Sequence, residues 1–244
     1  MTDTLLVTGA GGGLGRAIAR RFAADGVPVV CVDLDAEAAR RTADDTGSVA
    51  HGVDITDESA VMALRARLAD AGLLPSCLIN AAGVLVRRQL ADTDAATFSR
   101  VLDVNVTGAF TMTRAFAADL IASGRGRIIN IASIAGTTGY QFPAYAASKA
   151  ALINLTRSLL VDFWGTGVTV NAVCPGAMDT PMLDRSAFAS FQRRTPTRRV
   201  ATPDEVAGVC AFLASEDAAA VNGQSIVVDG GATAVFRYTD QESA

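Results

Sequence analysis

The sequence has 244 residues, of which half are hydrophobic and 19% are charged, so it can bury a sizeable core. Its formal net charge of −4 gives no basic field, which argues against nucleic acid or an anionic membrane as a partner. No apolar run approaches the ~20 residues of a membrane span, and the first residues enter a strand pattern without a basic leader.

The four cysteines, at positions 31, 77, 174 and 210, are widely spaced in apolar surroundings. This spacing fits neither a disulfide framework nor a zinc site, and it indicates buried thiols in a reducing compartment. We therefore expect a cytoplasmic protein that holds no metal ion.

In chain order, short β-branched runs alternate with longer helical stretches, a pattern typical of parallel α/β sheets. Seven strands are predicted, over residues 4–8, 28–33, 48–54, 76–80, 126–133, 167–175 and 224–231. Helices are predicted after the first strand, from Asp35, over 57–71, over roughly 94–123, around Lys149 and from Pro203 to about Ser215. The pattern predicts one α/β domain over 1–244, a Rossmann-like doubly wound parallel sheet of about seven strands.

A glycine-rich turn, TGAGGGLG (8–15), follows the first predicted strand and opens a helix. Glycines at this place let the backbone approach a pyrophosphate, whose charge then lies at a helix N-terminus. The second predicted strand ends in Asp33, and an acid there can accept hydrogen bonds from an adenosine ribose and repel a 2′-phosphate. The alternative is that Asp33 caps the next helix, although Asp35 is better placed to do so. The turn therefore predicts a dinucleotide site that prefers NAD to NADP.

The segment YAASK places Tyr145 and Lys149 one helical turn apart, on the same helix face. A nearby cation favours the phenolate, so Lys149 is expected to lower the pKa of Tyr145. Taken alone the pattern also occurs by chance on helices whose lysine is merely solvated, so the rest of the sequence has to decide.

Eight ordered motifs together resemble those of the short-chain dehydrogenase/reductase family over essentially the whole chain. The glycine-rich turn is joined by the pair Asp54–Ile55, NAAG (80–83), VNVTG (104–108), NIASIAG (130–136), YAASK, NAVCPGAMDT (171–180) and GQSIVVDGG (223–231). One position departs from the family pattern, because Ala81 stands where the family has a second asparagine that supports the sheet.

The resemblance implies which residues do the chemistry and which hold the cofactor. Tyr145 would be the general acid/base, Lys149 would bind the nicotinamide ribose, Ser133 would hold the substrate oxygen, and Asn105 would link Lys149 to solvent through water. The implied cofactor-binding residues, besides Asp33, Tyr145 and Lys149, are Gly9, Gly12, Gly13, Leu14, Gly15, Asp54, Ile55, Asn80, Ala82, Gly83, Pro175, Gly176, Met178 and Thr180.

The resemblance implies an NAD-dependent oxidoreductase that interconverts a small-molecule secondary alcohol and its ketone, and that assembles as a homotetramer. Within the same family, an acyl-carrier thioester (3-oxoacyl) reductase and a polyol or sugar dehydrogenase stay open. Outside it, a NAD-binding regulatory protein would not need all four catalytic side chains, and a sugar-nucleotide epimerase usually carries a longer C-terminal substrate domain.

A loop-rich segment over about 177–200 is expected to close over the substrate. Together with the preceding loop it supplies apolar and aromatic side chains: Tyr140, Phe142, Met178, Met182, Leu183, Phe188 and Phe191. Such walls favour a medium-sized, largely apolar secondary alcohol. The competing signal is RRTPTRR (193–199), whose arginines could pair with an anionic group on the substrate.

Overall fold

The computed structural model describes residues 4–235, so the two ends of the predicted 1–244 domain, residues 1–3 and 236–244, lie outside the described residues. All seven predicted strands are present. They are β1 (Leu5–Thr8), β2 (Val29–Asp33), β3 (Val49–Gly52), β4 (Cys77–Asn80), β5 (Arg127–Ile131), β6 (Thr169–Pro175) and β7 (Ser225–Val228). They form one sheet in the order β3-β2-β1-β4-β5-β6-β7, and every pairing is parallel.

Eight α-helices lie between these strands in the part of the chain that the structure describes. They are α1 (Gly13–Ala24), α2 (Ala36–Thr46), α3 (Glu58–Asp70), α4 (Ala95–Leu102), α5 (Gly108–Ala122), α6 (Pro143–Ser158), α7 (Phe188–Arg194) and α8 (Pro203–Ala214). Within residues 4–235, no helix combines the length and the apolar character needed to cross a membrane.

Helices cover both faces of the sheet, as the central strand β1 illustrates. Leu5 and Val7 of β1 pack with residues of α1 and α8, whereas Leu6 between them packs with α3 and α5 on the opposite face. All three side chains are fully buried. A strand buried on both faces explains why the strand sequences read as continuous apolar runs. The predicted doubly wound α/β sheet is therefore confirmed.

The strand order places a crevice above the carboxyl ends of β1 and β4. From β1 the chain adds β2 and β3 on one side, and from β4 it adds the remaining strands on the other. The loops after β1 and β4 therefore diverge at this switch point, where open α/β sheets bind their ligands.

Apart from strand ends, which differ from the predicted bounds by up to three residues, two predicted elements differ from the structure. The helix expected over 94–123 is divided by a π-helical turn, Asp103–Thr107, between α4 and α5. The segment expected to be loop-rich contains α7, whose phenylalanines are only half-buried. Short helices of this kind depend on tertiary contacts, which periodicity over a few residues does not reveal.

Candidate active site

The glycine-rich turn lies directly against the loop after β4. Gly9 has a positive φ of 68°, and a Cβ on it would lie 2.8 Å from the Cα of Ala82. Gly12 precedes α1 and, as a glycine, has no side chain that could cap the N-terminus of the helix. The first turn of α1, which includes Leu14 and Gly15, carries no acidic residue. Backbone N–H groups therefore stay available for a negative group. The turn has the close backbone approach and the helix N-terminus that a pyrophosphate requires.

Asp33 points back at this turn from the end of β2. Its Oδ2 accepts a hydrogen bond from the Gly11 N–H at 2.9 Å, and its Oδ1 accepts one from the Asp35 N–H at 3.0 Å. The capping of α2 is done by Asp35, which accepts from the N–H groups of Glu37 and Ala38. The alternative reading of Asp33 as the helix cap is therefore wrong, and its carboxylate stands beside the phosphate turn.

Arg16 is the cation nearest the phosphate turn in sequence, and its side chain is already engaged. Its Nε donates to Thr42 Oγ1 at 3.2 Å and its guanidinium donates to the Gly11 carbonyl at 3.4 Å. The arginine therefore braces the turn against α2.

The segments after β3 and β4 form the adjoining wall. Ile55 is buried against Gly108 of α5, and Asp54 is exposed with Oδ1 accepting from Thr56. Asn80 is 2% exposed, and its side-chain amide donates to Asn130 Oδ1 at 2.9 Å, so its side chain belongs to the core. Asn80 therefore offers a cofactor its backbone.

Ala81 stands where the family has an asparagine that supports the sheet, and here the loop after β4 is held by the side chain of Thr8. The Thr8 hydroxyl accepts hydrogen bonds from the N–H groups of Ala81 and Ala82, both at 3.1 Å. Thr8 ends β1, so this contact fixes the loop after β4 relative to the phosphate turn.

Tyr145 and Ser133 meet at the carboxyl ends of the strands. Ser133 follows β5, and its side chain faces that of Tyr145 on the first turn of α6. Burial raises the pKa of Tyr145, and the polar contact with Ser133 offsets only part of that effect. The sequence predicted a lowered pKa, and among the protein groups alone this is wrong, because desolvation of the phenolate outweighs the polar contacts.

Lys149 is 4% exposed and lies beneath Tyr145, with Nζ 5.6 Å from the centroid of the tyrosine ring. Its Nζ donates to the Ile131 carbonyl at 2.8 Å, at the end of β5. Burial lowers the pKa of Lys149 to about 8, because the ammonium loses its hydration. At neutral pH the side chain is therefore mostly protonated, although it gives up its proton far more readily than an exposed lysine.

Asn105 lies in the π-helical turn, and both the oxygen and the nitrogen of its side-chain amide are hydrogen-bonded. Its Oδ1 accepts from the Val84 N–H at 2.8 Å, and its Nδ2 donates to the Val84 carbonyl at 3.0 Å and to Ser148 Oγ at 2.9 Å. A Cβ on Gly83 would lie 3.2 Å from Asn105 Oδ1 and 3.4 Å from Lys149 Nζ. Asn105 and Lys149 therefore converge over Gly83, where a side chain would fill the space.

The base of the predicted lid closes the crevice above α1. After Pro175, the Gly176 N–H donates to the Val228 carbonyl at 3.0 Å, and Met178 pairs with Ala201. A Cβ on Gly13 would lie 3.1 Å from Cγ2 of Thr180, so the lid base and the phosphate turn face each other. The close approaches of Gly9 to Ala82, of Gly13 to Thr180 and of Gly83 to Lys149 bring the loops at this edge of the sheet together, and the backbone donors of the turn fit a dinucleotide.

Comparison with known proteins agrees with this geometry. A family model described as enoyl-(acyl carrier protein) reductase matches residues 9–233. An oxidoreductase of the short chain dehydrogenase/reductase family from Burkholderia thailandensis has a solved structure that matches with a TM-score of 0.91 at 33% identity, over 99% of this chain and 97% of that chain. This chain belongs to the short-chain dehydrogenase/reductase family. The resemblance inferred from the eight motifs is confirmed, and the family uses nicotinamide cofactors.

Two curated relatives in this family are dehydrogenases of alcohols. A galactitol 2-dehydrogenase (L-tagatose-forming) from Cereibacter sphaeroides is 39% identical over 93% of each chain. A meso-2,3-butanediol dehydrogenase from Serratia marcescens is 38% identical over 94% of each chain.

The side of the crevice next to Tyr145 is aromatic. The ring of Tyr140 lies 6.2 Å from that of Tyr145 and makes an edge contact at 5.4 Å with Phe142, which is buried. Of the lid arginines, Arg199 is held by Glu205, with a hydrogen bond of 2.8 Å to its carboxylate. This pairing leaves Arg199 less available to an anionic ligand than the sequence suggested.

Sequence reasoning missed three residues that shape the site. Thr8 supports the loop after β4, Arg87 joins that loop to the lid through a hydrogen bond to the Met182 carbonyl, and Ser148 binds Asn105. Two of them had a signal: Ser148 stands inside YAASK three residues after Tyr145 and shares its helix face, and Thr8 opens the glycine-rich turn TGAGGGLG.

Proposed function

We propose that this protein catalyses the NAD-dependent oxidation of a secondary alcohol to a ketone, and the reverse reduction, with Tyr145 as the general acid/base. The observation that carries the proposal is the pair of Tyr145 and Ser133, whose side chains face each other next to the buried ammonium of Lys149 at the carboxyl edge of the sheet. A phenol, a hydroxyl and a cation grouped at the ligand-binding edge of a nicotinamide-dependent fold support proton transfer to and from an alcohol.

The cofactor would be held by the crevice described above. The phosphate turn would take the pyrophosphate, Asp33 the adenosine ribose, Lys149 the nicotinamide ribose, and the backbone of Met178 with Thr180 the carboxamide. Bound NAD supplies the hydride acceptor. NAD is favoured over NADP because the Asp33 carboxylate would repel a 2′-phosphate, while the nearby Arg16 is already bonded to Thr42 and the Gly11 carbonyl.

The proton moves through the chain's own residues. Ser133 donates a hydrogen bond to the substrate oxygen and holds it beside the Tyr145 hydroxyl. Tyr145 takes the alcohol proton as phenolate and returns it in the reduction. Bringing a phenol from a pKa of about 10 to about 7 needs ~4 kcal/mol of differential stabilisation. The protein groups alone raise the pKa of Tyr145, so this stabilisation would have to arise when the positive nicotinamide ring of bound NAD joins the Lys149 ammonium beside the phenol.

The substrate is proposed to be a medium-sized, largely apolar secondary alcohol. Tyr140 and Phe142 form an aromatic wall beside Tyr145, and burying a phenyl-sized group on it would contribute a few kcal/mol at about 25 cal/mol per Å². Arg199 of the lid is paired with Glu205, which speaks against it as an anion receptor.

A second candidate is a vicinal diol or polyol, which the names of the two curated relatives favour. A third, an acyl-carrier thioester, has the description of the matching family model in its favour. The enzymes of that third class usually prefer NADPH, so Asp33 argues against it.

We also propose that the protein is a homotetramer in the cytoplasm. Large apolar side chains are exposed on α5, α8 and β7, at Phe110, Phe212 and Val227. Burying them between copies would remove apolar surface from water. All four cysteines are buried and free, which suits a reducing compartment. Light scattering at micromolar concentration tests the assembly, and a monomer would contradict it.

The function is tested by a substrate panel. NADH formation is measured with aryl-substituted secondary alcohols, with diols and sugar alcohols, and with hydroxyacyl thioesters, and Tyr145→Phe provides the background rate. The proposal expects the highest kcat/KM for the aryl alcohols and loss of turnover in the variant. A tenfold or greater preference for the sugar alcohols would select the second candidate, and unchanged turnover in Tyr145→Phe would contradict the mechanism.

A further inference from the structure

Two buried hydroxyl groups on α6 make the same pair of hydrogen bonds. Ser148 Oγ donates to the Tyr145 carbonyl at 2.7 Å and accepts from Asn105 Nδ2 at 2.9 Å. Thr156 Oγ1 donates to the Leu152 carbonyl at 2.9 Å and accepts from an asparagine amide of β5 at 3.0 Å. Neither side chain has any exposed surface. The two differ in what they connect, because only Ser148 lies between residues of the proposed active site.

Tyr145 occupies a part of α6 that is weakly held by the helix itself. α6 begins at Pro143, so Tyr145 lies in the first turn, and Phe142 before it makes no capping hydrogen bond through its side chain. First turns without a capping side chain open more easily than helix interiors. An additional bond to the Tyr145 carbonyl therefore limits the movement of the proposed acid/base.

Ser148 connects the residues of the site through a chain of hydrogen bonds. From Tyr145 its hydroxyl leads to Asn105, whose amide holds the backbone of Val84 from both sides. Val84 follows Gly83, over which Asn105 and Lys149 converge. The Ser148 hydroxyl thus connects the π-helical turn to the first turn of α6 by hydrogen bonds. Without that hydroxyl, the Asn105 amide would keep its two hydrogen bonds to Val84 but lose its connection to the Tyr145 carbonyl.

We infer that Ser148 is a positioning residue for the reaction: it holds Tyr145 and Asn105 in register and touches neither substrate nor cofactor. The inference rests on the proposed function, since it assigns Ser148 to the alignment of the Tyr145 hydroxyl. Small misplacements of a reacting group can lower a rate by up to about a hundredfold. Loss of the hydroxyl should therefore affect kcat much more than NAD binding.

The test compares Ser148→Ala with the matched control Thr156→Val, which removes the equivalent hydroxyl from the same helix and keeps the branched shape. For Ser148→Ala we expect kcat to fall roughly ten- to a hundredfold with little change in the KM for NAD. The pKa of the acidic limb of the kcat/KM profile should also move. Thr156→Val should keep wild-type kcat and pH profile whatever its effect on the melting temperature.

A third variant tests the route by which Ser148 acts. If Ser148 acts through its hydrogen bond to Asn105, either single substitution already removes that bond. The double variant Ser148→Ala/Asn105→Ala should then lose no more kcat than the single variant with the larger loss. Additive losses would overturn the inference. If Ser148→Ala does not fold, Ser148→Cys, which is nearly isosteric and a weaker donor, takes its place with the same expectations.

Two further results would overturn the inference, and they are separable from a failure of the proposed function. Equal losses of kcat in Ser148→Ala and Thr156→Val, with unmoved pH profiles, would reduce Ser148 to a structural residue. A Ser148→Ala enzyme with wild-type kcat would do the same while Tyr145→Phe stays inactive. An active Tyr145→Phe enzyme would instead contradict the proposed function on which the inference rests.

Discussion

Replacing Lys149 by methionine should stabilise the folded protein at neutral pH while it removes a side chain with a proposed role in catalysis. Burial lowers the pKa of Lys149 from its ordinary value of 10.5 to about 8. That difference corresponds to ~3 kcal/mol by which the folded state disfavours the ammonium. Methionine fills the same space without a charge. It loses the hydrogen bond from a charged donor to the buried Ile131 carbonyl, which is worth roughly 1.5–3 kcal/mol, so a net gain of about 1 kcal/mol is expected.

The pH dependence of this gain has a definite sign. Below pH 8 Lys149 is protonated in both folded and unfolded chains, and the whole cost of burying the charge is present. Between pH 8 and 10.5 the unfolded chain binds a proton that the folded chain does not, so the wild-type protein becomes more stable as the pH rises. The advantage of Lys149→Met should therefore be largest near pH 7 and shrink toward pH 10.5.

The sequence offers an unusually direct assay, because Lys149 is the only lysine in the chain. Lysine labelled with ¹³C at Cε gives a single ε-carbon NMR signal in this protein. The titration of that signal reports the pKa of Lys149 and needs no resonance assignment. Denaturant unfolding of both proteins across the same pH range reports the stability difference. The matched control is Arg157→Met, an exposed cation on the same helix, which should bring no comparable gain. A lysine signal that titrates near 10.5, with no stability gain in Lys149→Met, would refute the reasoning.

Three further predictions concern activity. Tyr145→Phe should lower turnover by roughly 10²–10⁴-fold, the usual contribution of a general acid/base, while NAD affinity in a fluorescence titration stays within a few-fold of wild type; near-wild-type rates would exclude Tyr145 from the chemistry. Asp33→Ala should raise kcat/KM for NADP relative to NAD, because the carboxylate beside the phosphate turn is gone and Arg16 remains near it. Adding Arg16→Met should reverse the gain, and an unchanged cofactor ratio in Asp33→Ala would mean that the ribose pocket lies elsewhere. Tyr140→Ala should raise KM for aryl alcohols and leave KM for sugar alcohols nearly unchanged, since it removes half of the aromatic wall beside Tyr145; equal effects on both substrate classes would contradict that role.

The sheet could be predicted from the sequence because its strands are buried on both faces. Each strand is a short apolar run between helical stretches, and all seven were recognised. Their ends were less predictable: the last strand was expected to reach residue 231, yet β7 ends at Val228. The backbone turns there because Asp229 accepts hydrogen bonds from Gly231 and Thr233, contacts that an apolar pattern does not encode.

The proximity of Tyr145 and Lys149 could be predicted from a motif, but the electrostatics of the pair could not. The spacing of Tyr145 and Lys149 places both on one helix face, and the structure agrees. Spacing does not show that Lys149 is 4% exposed and bonded to the end of β5, nor that burial dominates the pKa of Tyr145. These effects depend on how the helix packs against the sheet, which is a property of the whole fold. The π-helical turn at Asn105 was missed for the same reason, because its stabilising partners are Val84 and Ser148 in distant parts of the chain.

The central claim is that a secondary alcohol gives up hydride to NAD in this crevice. The most direct measurement uses the best alcohol of the substrate panel, deuterated at its carbinol carbon, and follows the label by mass spectrometry. We expect the deuterium to appear in the reduced cofactor while the ketone forms in equal amount, and Tyr145→Phe to yield almost none of either. Reduced cofactor without the label, or ketone without reduced cofactor, would contradict it.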